Sequence, residues 1–266
     1  MKIYKYWTAE TYKTLYGREQ VEFICYGGSN ISVEDAKIQA DQKAERIKLK
    51  IAGKRYKLET YEVEIREELL QEIDPNNLIT RNRYGAKVLN SSRMLILDID
   101  KPKPAGLMNL FKKKDSRPPK DQIFDMVRTL AATKYAQYAF RIYETYQGAR
   151  VIVLGDDFEP TSSLTKAMMN EFNCDSLYTT LCLKQRCFRA RLTPKPSRMN
   201  IPRYKVTYPR MGDDSEFQRW LSEYESASRS FSVCKLVEQV GASHSLPEAV
   251  RLHDDVTGIL YPQKLA

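Results

Sequence analysis

The stretch Met94-Leu95-Ile96-Leu97-Asp98-Ile99-Asp100-Lys101-Pro102 decides how the rest of the chain is read. Four consecutive apolar residues, Met94 to Leu97, are what a central strand covered on both faces carries. Side chains alternate along a strand, so Asp98 and Asp100 share one face, with Cα atoms about 7 Å apart. Two carboxylates so placed repel each other unless a cation lies between them. Hard oxygen donors at this spacing suit Mg²⁺ or Mn²⁺, with waters and substrate phosphates as the remaining ligands. The competing reading is a strand that runs out into solvent, with Lys101 and Lys103 pairing the acids.

Upstream, residues 21–26 (VEFICY) read as a strand, closed by Gly27-Gly28-Ser29-Asn30. A helix follows Ser32, with Ala36, Ile38, Ala40, Ala44 and Ile47 as its apolar stripe. Residues 55–66 read as a strand and Glu67–Ile73 as a short helix. Downstream, the Pro- and Lys-rich segment 101–120 reads as a mobile loop, and Asp121–Ala132 as an amphipathic helix. Residues 140–154 (FRIYETYQGARVIVL) give two strands around a Tyr-Gln-Gly turn. Residues 160–172 form a helix with Ser162 or Ser163 as cap, and residues 186–192 a strand. From about Asp213 the chain reads as helical through 232–240 (SVCKLVEQV) and 247–256 (PEAVRLHDDV). The expected fold is α/β, a mixed sheet with flanking helices over 1–212 and a helical extension over 213–266.

A chain of 266 residues, 42% of them apolar, has enough material for a sizeable core. It contains no apolar run of about 18 residues, and its start, MKIYKYWTAE, has no signal-peptide stretch. The expectation is a cytoplasmic protein with no membrane partner. The five cysteines form no CxxC pair, which points to reduced thiols. A zinc site at Cys174, Cys182 and Cys187 has no histidine nearby to complete it, so buried apolar thiols are the plainer reading.

The net charge of +9 is unevenly spread. Residues 181–210 hold nine Lys/Arg and no acid, and 101–120 hold seven against Asp115 alone. Clustered positive charge favours nucleotide phosphates or nucleic acid. In FRARL (188–192), Phe188, Ala190 and Leu192 face one way and Arg189 and Arg191 the other. With Lys195 they make a ladder suited to phosphate. Asp175 stands just upstream as a possible third carboxylate. Arg81, Arg83 and Tyr84 precede the Asp98 strand, and Tyr84 there would stack a base. The plainer reading of that segment is a turn ended by Gly85. His253, with Asp254 and Asp255, reads as part of a capped surface helix rather than a metal site.

In order, LILDID at 95–100, YQGAR at 146–150, and Asp175 with Tyr178 ahead of FRARLTPKP resemble the motifs of the archaeo-eukaryotic primase superfamily of primase-polymerases. The resemblance covers roughly residues 80–200. It implies Asp98, Asp100 and Asp175 as catalytic metal ligands for two divalent ions, and Arg150, Arg189, Arg191 and Lys195 near phosphates, with Arg81 and Arg83 beside the same site. Arg150 stands where the family has histidine. The gap from Arg150 to Asp175 is short for the family, and Asp156 or Asp157 is the alternative third acid. The implied function is metal-dependent nucleotidyl transfer from a nucleoside triphosphate, with DNA or RNA as partner, in replication or repair. A non-catalytic nucleic-acid-binding or nucleotide-binding module of the same fold is the alternative. A metal-dependent nuclease or phosphohydrolase is a second. The chain shows no Ser/His/Asp or Cys/His set that would point to covalent catalysis.

Overall fold

The computed structural model describes residues 1–53, 64–101, 117–210, 212–242, 244–261 and 263–266. Most of the expected strand over 55–66 and most of the basic loop over 101–120 lie outside the described residues.

The chain opens with an antiparallel hairpin, β1 (Tyr6–Tyr16) and β2 (Glu19–Ser29), on which helix α1 (Val33–Ile51) packs. Ser32 caps α1 by accepting the Asp35 N–H. The buried stripe is narrower than expected: Ala36, Ala40 and Ala44 are buried, whereas Ile38 and Ile47 are exposed. Residues four apart stay on one helical face, and Ile38 falls nearly opposite Ala36. Alanine is required there because the backbones almost touch. A Cβ added to Gly27 of β2 would stand 1.8 Å from the Ala36 carbonyl oxygen.

Strands β3 (Glu68–Asp74), β4 (Asn77–Arg81) and β5 (Lys87–Ser91) form an antiparallel meander. The short helix expected at Glu67–Ile73 is therefore corrected to a strand. The hairpin through Pro75-Asn76 pairs it with β4, and that pairing outweighs the helix propensity of its Glu and Leu residues. The apolar run follows as β6 (Ile96–Asp100), then helix α2 (Pro119–Thr133), and the hairpin β7 (Ala139–Thr145) and β8 (Gly148–Leu154). Helices α3 (Ser163–Glu171), capped by Ser162, and α4 (Ser176–Gln185) lead to β9 (Phe188–Arg191). Helix α5 (Ser215–Ser228), short β10 (Phe231–Ser232), β11 (Cys234–Val240), helix α6 (Glu248–Thr257) and β12 (Lys264–Leu265) complete the order.

Two four-stranded sheets carry the fold, ordered β3-β4-β5-β9 and β11-β7-β8-β6. The α/β class is as expected, and the expectation of a mixed sheet is refined, since every pairing in both sheets is antiparallel. The helical reading of 232–240 is corrected. That segment is β11, and it hydrogen-bonds along β7, so residues beyond 212 complete the sheet. An open β7 edge offers the segment a ladder, interrupted by one irregularity at Val237, which a lone amphipathic turn does not.

β6 is also not a central strand. It ends its sheet, yet Leu95, Ile96 and Leu97 are wholly buried. Its outer edge is covered: the Tyr178 hydroxyl donates to the Ile96 carbonyl at 2.7 Å, and the Asp175 N–H donates to the Asp98 carbonyl at 2.9 Å. β9, the edge of the other sheet, lies against β6. Covered faces and a covered edge leave the strand as apolar as a central one. Helices reach both faces of this sheet. Phe172 at the end of α3 stacks on Phe140, while α6 reaches Arg141 and Tyr143, which point the other way.

Candidate functional site

Strand register sets the site. Asp98 pairs with Arg150 and Asp100 with Gly148 across β6 and β8, and Arg150 pairs with Tyr143 across β8 and β7. Alternation therefore places Asp98, Asp100, Arg150 and Tyr143 on one sheet face, the α6 face. Gly148 permits the approach at the strand end. A Cβ there would stand 2.0 Å from the Ile99 carbonyl oxygen.

Asp98 is half-buried and Asp100 exposed. Among the described residues neither side chain has a hydrogen bond or an ion pair. Burial raises the Asp98 carboxyl pKa; the guanidiniums of Arg150 and Arg191 pull it down, and Asp100 and Asp175 push it up. Asp175 reaches the same place from α4. It caps that helix by accepting the Tyr178 N–H at 2.8 Å, and its own N–H bonds the Asp98 carbonyl. The third acid is thereby fixed to the strand that carries the first. Asp156 and Asp157 lie past the far end of β8, six and seven residues beyond Arg150, or about 20 Å along a strand. The geometry sets them apart from the acids.

Opposite the acids stands a group of cations. Burial, with Arg150 and Arg198 next, lowers the Arg191 pKa to about 10, and Asp98 opposes this. Burial also lowers Lys195, with Arg191 and Arg198 adding to it and Asp100 and Asp98 opposing. Burial lowers Arg198, against Tyr146, Asp100 and Asp98. Arg198 lies 4.3 Å over the Tyr146 ring in the β7–β8 turn. Among the described residues no cation of this group makes an ion pair with a carboxylate. Such a cluster favours a bound polyanion.

Arg150 has a different setting from Arg191. Its Nη1 donates to the Arg191 carbonyl at 3.0 Å and lies 3.0 Å from His253 Nε2. His253 is wholly buried, and its Nδ1 lies 3.0 Å from Asp254 Oδ1. Burial lowers its pKa to about 4, so at neutral pH the ring is uncharged. Nδ1–H then donates to Asp254, and Nε2 accepts from Arg150. Asp254 also accepts the Tyr143 hydroxyl at 2.7 Å and an Arg141 guanidinium N–H. The surface-helix reading of His253 is corrected: Gly258 ends α6 in a left-handed cap, and the helix's His253–Asp254 face is buried beside Arg150.

Three expected phosphate contacts lie elsewhere. Arg189 donates to Glu67 Oε2 at 2.5 Å, and Glu67 also accepts from Thr80. Arg189 shares a strand face with Arg191, two residues away, and is engaged by Glu67. Arg81 is buried and bonded to Glu68 and the Gly85 carbonyl, with Glu225 at 3.5 Å. Arg83 is exposed, and its Nη2 donates to the Tyr84 hydroxyl at 2.6 Å. Arg198, Tyr146 and the His253–Asp254 pair were not assigned to the site from sequence. Arg198 was visible only as one member of the basic run, and nothing local linked α6 to β8.

The donor chemistry fits a hard divalent ion. Among the described residues Asp98 and Asp100 offer carboxylate oxygens without hydrogen-bond or ion-pair partners on one face, and Asp175 leaves one oxygen outside its cap bond. Among the described residues, no three His, Cys, Asp or Glu side chains already stand together as a complete ligand set. Two carboxylates with waters and phosphate oxygens form the usual Mg²⁺ arrangement. The cysteines are free thiols. A cleft of about 380 Å³ lined by Lys101, Lys120, Phe124 and Glu144 opens beside the acid end. Another of about 480 Å³, lined by Asp74, Arg93, Asp156 and His244, lies at the far end of the strands. No helix among the described residues is long and apolar enough to cross a membrane. Comparison with protein-family models, curated proteins and solved structures gives no match.

Proposed function

We propose that this chain is a cytoplasmic, divalent-metal-dependent nucleotidyltransferase that resembles the primase-polymerases and acts on a nucleoside triphosphate and DNA or RNA. One observation carries the reading. Among the described residues Asp98 and Asp100 have no hydrogen-bond or ion-pair partner on their side chains, and they lie within electrostatic reach of Lys195 and Arg198, with Arg191 near Asp98. Negative groups that gather a cation and positive groups that gather phosphate meet at one strand end. Asp98 and Asp100, with Asp175, would hold Mg²⁺ or Mn²⁺, which lowers the pKa of an attacking hydroxyl and neutralises phosphoryl charge. Arg191, Lys195 and Arg198 bind and orient the triphosphate in a partly buried setting, where charge counts for more than in water. No side chain need act as a covalent nucleophile.

The test is Mn²⁺ titration calorimetry on the wild type and on Asp98→Ala/Asp100→Ala, with and without a nucleoside triphosphate, followed by incorporation of labelled nucleotide. The expected result is Mn²⁺ binding that triphosphate strengthens and the double variant loses, with incorporation lost in Asp98→Ala. Incorporation retained in Asp98→Ala overturns the reading. Label released by water, rather than joined to a primer, assigns the site to a nuclease or phosphohydrolase instead.

A second reading, a non-catalytic binding module of the same fold, is favoured by Arg150. That residue is bonded to a carbonyl and a buried histidine, so its charge serves to organise the sheet as much as to meet a substrate. Nucleic-acid binding that falls with salt and ignores Mn²⁺, with no incorporation, supports this module.

A further inference from the structure

Arg150 is only 5% exposed, yet its guanidinium is partly unused. Nη1 donates to the Arg191 carbonyl and meets His253 Nε2, each at 3.0 Å, which accounts for both of its hydrogens. Among the described residues Nε and Nη2 have no hydrogen-bond partner, and Arg150 makes no ion pair. Neither nitrogen is among the unpartnered side-chain atoms that the fold seals from solvent. The Nε–Nη2 edge carries the parallel N–H pair with which arginine grips an oxyanion. It is left open on an otherwise enclosed side chain.

An unrestrained arginine would turn this edge in many directions, because its stem has several rotatable bonds. Here the pose is held from α6. The Tyr143 ring meets the His253 ring edge-on, with centres 4.9 Å apart. Asp254 Oδ1 lies 3.0 Å from His253 Nδ1, and Asp254 is itself held by the Tyr143 hydroxyl and Arg141. A carboxylate only accepts, so it keeps the ring proton on Nδ1 and leaves Nε2 as an acceptor for Arg150. The other restraint, the Arg191 carbonyl, ties the pose of Arg150 to the strand that carries the second guanidinium. Two guanidiniums kept within reach of each other favour an anion between them.

We propose that His253 and Asp254 are positioning residues for oxyanion recognition, setting the pose of Arg150 so that its Nε–Nη2 edge and Arg191 take one phosphate group of the ligand. Neither residue of α6 touches the ligand; both act through Arg150. The inference rests on the proposed function for its ligand, a triphosphate, but what it predicts is binding and not turnover.

The experiment is calorimetric titration of inorganic triphosphate, in metal-free buffer and with Mn²⁺, into wild type, His253→Asn, His253→Gln, Arg150→Lys and His253→Asn/Arg150→Lys. Thermal transitions check that each is folded. The shorter His253→Asn side chain keeps a donor for Asp254 and does not reach Arg150, and it should weaken binding about tenfold. His253→Gln places an acceptor near the position of Nε2 and should recover most of that loss. Arg150→Lys should lose at least as much, since a point charge does not give the paired bonds. Adding His253→Asn to Arg150→Lys should then weaken binding no further. A histidine that merely supports the fold would instead give losses that multiply. If His253→Asn does not fold, Asp254→Asn replaces it: an amide that donates to Nδ1 moves the ring proton to Nε2 and removes the acceptor, with the same loss expected. Wild type that binds no triphosphate in either buffer, loss variants that bind as wild type does, or losses that multiply overturn the inference. Triphosphate bound with these dependences, but no nucleotide incorporated, sinks the nucleotidyltransferase reading and leaves this one standing.

Discussion

Two polar clusters share one face of the β11-β7-β8-β6 sheet and are treated in opposite ways. Under α6, Arg141, Tyr143, Arg150, His253 and Asp254 are buried, and each is bonded to another member. One strand away, Asp98, Asp100, Arg191, Lys195 and Arg198 hold charges near one another that make no ion pair among the described residues. A buried polar network is tolerated where every group is satisfied, and it then rigidifies what it touches. Charges left unpaired at a partly buried site cost stability unless something from solution completes them. The first cluster is a foundation and the second, under the proposed function, a receptor, and Arg150 adjoins both.

The sharpest way to break this contrast is to remove the hub of the satisfied cluster. Asp254→Ala leaves the Arg141 guanidinium buried without its carboxylate and strips partners from Tyr143 and His253. Breaking a buried ion pair from one side costs about 3–5 kcal/mol. The expectation is a fall in unfolding free energy of that order by urea denaturation, with metal binding impaired only through the fold. A loss under about 1 kcal/mol, the worth of an exposed pair, would show that water reaches the cluster.

Acid tests the same cluster more gently. His253 titrates near pH 4 in the fold against about 6.5 when unfolded. Its folded pKa is the lower, so below about 6.5 the unfolded chain takes up a proton that the folded chain refuses. Stability contributed by neutral His253 is present above pH 6.5 and is lost as pH falls toward 4. A shift of this size corresponds to about 3 kcal/mol. Asp254, whose carboxyl pKa is lowered in the fold against the effect of its own burial by bonds from His253 and Tyr143, loses its share as pH falls further. Urea midpoints measured between pH 7 and 4 should fall steeply, and His253→Gln should flatten the upper part of that fall. An equal slope in the variant would place the titrating group elsewhere.

The two clusters were not equally legible in the sequence. Asp98 and Asp100 could be read because strand alternation is local: an apolar run followed by acids at i and i+2 fixes their shared face. The face of Arg191 was legible for the same reason, and Lys195 as the next cation of the basic run. Arg189 was not separable from Arg191, since its partner Glu67 arrives from 122 residues away. The foundation was invisible because His253 meets Arg150 across 103 residues, and a helix pattern alone does not say which sheet it covers. Strand β11 was missed on related grounds. Its pairing edge is made by β7, and local propensity yields to such pairing. What is decided within a few residues was readable, and what depends on a distant edge was not.

The smallest expected effect bears most directly on the receptor cluster, and its sign is the informative part. The Asp98 carboxyl pKa is raised, chiefly by burial, so the folded chain holds that proton more tightly than the unfolded chain does. The group therefore favours folding below the ordinary carboxylate range and disfavours it increasingly as pH rises from that range through the raised value. At neutral pH an ionised Asp98 is a net cost, since cations nearby do not fully offset its burial. Asp98→Asn removes the charge and keeps the shape. The variant should be as stable as wild type or more stable at pH 7, by about 1 kcal/mol. That gain should shrink as pH falls into the carboxylate range and vanish when Asp98 is protonated in both states. Metal binding should be lost in the same variant. Stability gained where binding is lost is the mark of a residue kept for function, not for the fold. A variant destabilised at pH 7 would move Asp98 into the foundation, bonded to Arg150 and Arg191 as structure, and would count against the metal reading with it.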